Sequence, residues 1–152
     1  MNTKNNSSMA ISATLHCLVG CALGEITGLI AGTALGLPNY WTVVLAIGLA
    51  FIFGYSLSAL PLVKNGMKLA AALPLVLAAD TLSIATMEVV DNLVMLGIPG
   101  AMDAGLVNPI FWLSMPVALT VAFFVALPVN NYLLSRGKGH ALTHDHHNHG
   151  GH

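Results

Sequence analysis

Apolar residues dominate four long stretches of this chain, roughly Met9 to Leu37, Trp41 to Val63, Leu69 to Ile98 and Ile110 to Leu134, and polar residues gather in the breaks between them. Each stretch exceeds the ~20 residues that a helix needs to cross a bilayer core. The breaks carry turn chemistry: Gly36-Leu37-Pro38-Asn39, Lys64-Asn65-Gly66, and the segment from Pro99-Gly100 to Asn108-Pro109. Punctuation by glycine and proline separates helices instead of joining them. In lipid every backbone amide must be satisfied internally, which favours helices over an open sheet. The pattern predicts an all-α integral membrane four-helix bundle. Its parts are a polar N-terminal segment over 1–10, a domain over 11–136 with helices over about 11–36, 41–63, 69–97 and 110–134, and a disordered His-rich tail over 137–152.

Composition agrees with that pattern. Of the 152 residues 56% are hydrophobic and only 7% are charged, against roughly 25% charged in an ordinary soluble domain. Too little charge remains to clothe a soluble surface, and no basic patch suggests nucleic acid. The five basic residues matter for their places. Lys4 precedes the first span, Lys64 and Lys68 lie between the second and third, and Arg136 and Lys138 follow the fourth, while the other two loops contain no Lys or Arg. The positive-inside rule then puts both termini in the cytoplasm. Trp41 and Trp112 begin spans on the opposite side, as an aromatic belt requires. Leu18-Val19-Gly20-Cys21 matches the short pattern before a lipidated cysteine, but the apolar run continues to Gly36, so cleavage there would destroy a full span.

Two patterns overlap on the first helix. Gly20, Gly24, Gly28, Gly32 and Gly36 recur every four residues, a glycine zipper that lets another helix approach the backbone closely. It invites self-association, and a homo-oligomer is expected from it. Cys17, Cys21 and Glu25 form a neighbouring stripe at i, i+4 and i+8, with His16 on its glycine side. Taken alone the cysteines read as small hydrophobes in a helix interface. Their spacing suits neither a disulfide nor the usual redox motif.

The third helix changes the weight of that stripe. In AADTLSIATMEVVDNLVML the acids Asp80, Glu88 and Asp91 share a narrow sector with Ile84, Met87 and Met95. An ionised acid at mid-bilayer costs at least ~2.5 kcal/mol on insertion scales, so the three are expected to face inward. No Lys or Arg lies within the spans to neutralise them. A proton, a metal cation or another polar group must stand in. One reading is structural: protonated carboxyls bonded to Thr81, Ser83, Thr86 and Asn92 that fix helix register. The other is functional, because thiol, imidazole and thioether groups coincide with the acids, and soft sulfur ligands select Cu(I).

The rest of the chain adds less. Pro116 and Pro128 are expected to kink or widen the fourth helix, and Asn130 and Asn131 either cap helices or line an access path. Tyr55, Ser56 and Ser58 on the second helix read as interhelical hydrogen bonders. The loop from Pro99 to Pro109 caps the outer face, with Asp103 in water. The tail carries His140, His144, His146, His147, His149 and His152, a composition that captures metal without naming which one.

The segments HCLVGCALGEITG, FGYSLS, ADTLSIATMEVVDN, PGAMDAGL and FWLSMPVAL, followed by ALPVNNYLLSRGKGHA, together resemble the small bacterial membrane proteins grouped as domain of unknown function 4396. The resemblance covers about Ala13 to Ala141. It implies a compact multi-helix membrane domain, sometimes found beside or fused to copper-protein sequences, so a copper-handling partner is expected; the expected location is the bacterial inner membrane, crossed several times. It implies no settled activity. Residue by residue it selects His16, Cys17, Cys21, Glu25, Asp80, Glu88, Asp91 and Asn92, and it leaves the histidine tail outside.

Together these readings predict a multi-pass protein that binds or translocates a soft transition-metal ion, Cu(I) first. His16, Cys17, Cys21 and Met87 would be ligands, and Glu25, Asp80, Glu88 and Asp91 would balance charge or exchange protons. A non-enzymatic role is the expectation. The alternatives are a membrane redox protein holding haem or quinone, a structural subunit, and a proton or alkali-cation pathway. Haem is the weaker alternative because His16 is the one histidine placed within a span.

Overall fold

The computed structural model describes residues 3–135. Four helices follow one another in the chain: α1 (Thr3–Ala34), α2 (Asn39–Lys64), α3 (Leu69–Gly97) and α4 (Pro109–Ser135). No strand occurs among the described residues. Helix α1 begins at Thr3, so most of the polar segment before the first apolar run is helical too. By length and apolarity α1, α2 and α4 can each cross a membrane. Helix α3 makes a fourth crossing if its two parts, Leu69–Ala78 and Asp80–Gly97, bent by 50°, count as one span.

Glycine sets the first two helix ends. Gly36 and Gly66 adopt φ of 67° and 96°, a left-handed conformation that costs glycine least. At each end the residue after the glycine donates its N–H back to the helix, Leu37 to the Gly32 carbonyl over 2.9 Å and Met67 to that of Leu62 over 3.1 Å. These are Schellman closures, which satisfy carbonyls that the helix end leaves orphaned. Helix α4 starts differently. Pro109 takes the first helical position, where no N–H is needed, and the Asn108 side chain accepts the Ile110 N–H over 3.0 Å.

Helix α1 holds the fold together, touching α2, α3 and α4, with its largest interface on α2. That interface is where the glycine stripe goes. A Cβ added to Gly20, Gly24, Gly28 or Gly32 would run into Gly54, Ala50, Ala46 or Thr42 of α2 respectively. As α1 rises by four residues α2 falls by four, so the two helices are antiparallel and in register along four contacts. The stripe from which self-association was expected is therefore covered by this chain's own α2. Helix α4 remains one helical element through Pro116 and Pro128, and both prolines lie on its exposed side.

A candidate cation site between α1 and α3

Close approach of α1 to α2 turns the neighbouring cysteine stripe of α1 towards α3. Three side-chain steps then link the two helices. Ser83 donates to the Cys17 sulfur over 3.4 Å, Cys21 faces Glu88, and the carboxyls of Glu25 and Asp91 face each other within bonding reach. The residue numbers rise together along both helices, so α1 and α3 are parallel, and the steps climb from the end where α1 begins to the end near the α3–α4 loop. Cys17, Cys21, Met87, Glu88 and Asp91 are all buried. Glu25 is half-buried.

Cys17, Cys21 and Met87 belong to one packed cluster with Ile84, Ala50, Ala122 and Ala126. Two thiols and a thioether thus share a buried environment contributed by all four helices. Asp80 is buried two turns below Met87 on the same helix and lies near Cys17.

His16 does not join them. It is exposed, and its Nδ1 lies 3.0 Å from the Ser12 carbonyl oxygen of its own helix. The expected ligand set therefore loses its imidazole. Successive residues on a helix are ~100° apart, and once the glycines face α2 and the thiols face α3, position 16 falls on the far side of the glycines. The six tail histidines lie outside the described residues. Among the described residues no three His, Cys, Asp or Glu side chains converge to hold one metal ion.

Nor do the hydroxyls of α3 serve the acids. Thr86 donates to the Leu82 carbonyl over 2.7 Å, and Thr81 donates to that of Leu77 over 2.5 Å while pairing with the Tyr55 hydroxyl. Asn92 donates to the backbone oxygen of Glu88 over 2.7 Å, not to its carboxyl. Ser and Thr in helices often bond back to their own turn in this way. As a result, no donor among the described residues meets Glu88 Oε1, Glu88 Oε2 or Asp91 Oδ1 in hydrogen-bond geometry.

Both acids line a cavity of about 150 Å³ that reaches from Glu25, Glu88 and Asp91 to the loop end of the fold. At its mouth the Asn39 amide donates to Asp103 over 2.5 Å, joining the start of α2 to the α3–α4 loop. Asp103 was expected in water, and it is exposed; its second role, as part of the cavity rim, was not legible from the sequence. The cavity itself left no sequence signal, because its walls come from every helix and from the loop. Asn130 was open between a cap and an access path. It does neither: its amide donates to Thr14 over 2.8 Å, deep in the opposite half of the fold.

Comparison with known proteins adds one match: the family described as Domain of unknown function (DUF4396) matches residues 7–139. No curated protein and no solved structure matches the chain.

Proposed function

The chain belongs to the DUF4396 family, whose description assigns no chemistry, so the reading must come from the site, and we propose that the protein is a four-span bundle that binds or translocates a soft transition-metal ion, Cu(I) first. The observation that carries this is the burial of Cys17, Cys21 and Met87 in one cluster. Thiolate and thioether donors select Cu(I) over harder ions. A site of two thiols and one thioether needs no third member from the His, Cys, Asp and Glu set, and it does not use His16. Glu25, Asp80, Glu88 and Asp91 lie along the same parallel pair of helices and supply the negative charge that a cation crossing an apolar interior requires.

In this proposal both termini and the Lys64–Lys68 turn face the cytoplasm of a bacterium, and the cavity opens on the other side of the inner membrane. A homo-oligomer would have to use a face other than the glycine stripe. A haem would need an imidazole outside the fold's interior, since His16 points outward, and the redox alternative is weakened accordingly. The role is non-enzymatic, with a copper-handling protein as the partner that delivers or receives the ion, and the histidine tail as a cytoplasmic collector.

Titrating the purified protein with Cu(I) in competition with a chromophoric chelator tests the reading, with the six tail histidines changed to alanine to remove their background. Stoichiometric binding is expected. A Cys17→Ser, Cys21→Ser double variant that binds Cu(I) equally well would sink it.

A further inference from the structure

The cavity at the loop end supports a second binding chemistry that does not depend on the sulfur cluster. Its volume, about 150 Å³, is that of a protein cavity able to hold a benzene-sized molecule. Much of its wall is apolar, with Leu29 from α1, Ile47 from α2, Met95 from α3 and Phe111 from α4. At its inner end stand Glu88 and Asp91, 3% and 2% exposed, with three carboxyl oxygens that no donor among the described residues meets. A buried carboxylate without a partner is costly, and no Lys or Arg is among the residues that line the cavity. A positively charged guest would supply that partner.

A bare metal ion suits this chamber poorly, because no three acids among the described residues converge on one point. Acidic and amide groups converge with apolar side chains around this cavity, and a preformed pocket with both kinds of wall suits a small amphipathic organic ligand. We propose that the cavity binds a small primary amine in its ammonium form, with the N–H groups donating to Glu88 and Asp91 and the hydrocarbon lying along Leu29, Ile47, Met95 and Phe111. The amine enters past Asn39 and Asp103.

Cyclohexylamine is a suitable probe, with cyclohexanol as its uncharged counterpart of nearly equal shape. Calorimetric titration of the full chain in detergent is expected to show saturable binding of the amine, and binding of the alcohol weaker by about tenfold or more, the effect of losing a charged hydrogen bond. Glu88→Gln is expected to lower amine affinity by a similar factor. Because that variant could fold poorly, the wild-type protein is also treated with a hydrophobic carbodiimide, and mass spectrometry reads the adduct on Glu88. The amine is expected to protect Glu88 and the alcohol to leave it reactive. Equal binding of the two probes, protection by both, or no binding of the amine would overturn the proposal. Amine binding is read on the copper-free protein with both cysteines intact, and Cu(I) binding on the cysteine variant, so failure of the sulfur site and failure of the amine site remain distinguishable.

Discussion

The Asn130 side chain of α4 donates to the Thr14 hydroxyl of α1 over 2.8 Å, and that hydroxyl in turn donates to the Ala10 carbonyl over 2.6 Å. Both residues are buried. This short relay ties the last helix to the first in the half of the fold that the cavity does not reach. Interhelical hydrogen bonds in membrane proteins average ~0.6 kcal/mol, with a maximum near 1.7 kcal/mol. A double-mutant cycle of Asn130→Leu and Thr14→Val, followed by unfolding in mixed micelles, is expected to give a coupling energy in that range. A coupling indistinguishable from zero would remove the relay as a fold determinant.

The α1–α2 interface makes a sharper prediction. A Cβ at Gly24 would meet the backbone and Cβ of Ala50, whereas a Cβ at Gly48 meets nothing within 4 Å. Gly24→Ala is expected to destabilise the fold by ~1–3 kcal/mol, the usual cost of overpacking. Gly48→Ala replaces an exposed helical glycine and is expected to stabilise by up to ~1 kcal/mol. Thermal unfolding of the two variants side by side checks the contrast, and equal melting temperatures would contradict the packing described.

Placement of the sulfur and nitrogen donors separates two ligand sets. Cys17 and Cys21 are 2% and 1% exposed, and His16 is turned outward. His16→Ala is expected to leave Cu(I) stoichiometry and affinity unchanged, while Met87→Leu, which conserves volume, weakens affinity without loss of fold. A large loss with His16→Ala would return the imidazole to the site. Both thiols are also expected to react with maleimide only after denaturation, which mass spectrometry reads directly.

Orientation can be tested apart from function. In a background with Cys17 and Cys21 changed to serine, cysteine is placed at Asp103 in the α3–α4 loop or at Lys64 at the end of α2, both exposed. A membrane-impermeant maleimide applied to intact cells is expected to label position 103 and to reach position 64 only after permeabilisation. The reverse pattern would invert the proposed topology and place the cavity mouth in the cytoplasm.

Some of this was readable along the chain. Four apolar runs, their glycine and proline breaks and the absence of charge set the helical class and three of the crossing helices directly, because the length of an apolar run is a local property. The glycine spacing on α1 and the acid sector on α3 were equally local, since each depends only on the ~100° advance between neighbours on one helix. Their burial followed from the cost of leaving an acid in hydrocarbon.

Tertiary structure alone decided what each face meets. Periodicity assigns residues to a face but is silent on the partner, so the glycine stripe read equally well as a contact between copies or as the seat of α2, and the antiparallel ladder from Gly20–Gly54 to Gly32–Thr42 chose the second. Choosing it rotated α1 about its axis, which carried Cys17 and Cys21 inward and His16 out. The cavity is a still less local object. Its carboxyl floor comes from α1 and α3, its apolar walls come from all four helices, and its rim is closed by an Asn39–Asp103 bond spanning 64 positions of sequence. The sequence determined which residues lipid would not tolerate on an outer face; the packing of α1 on α2 determined which of them would share an interior, because only one rotation of α1 lets four glycines meet small residues at once.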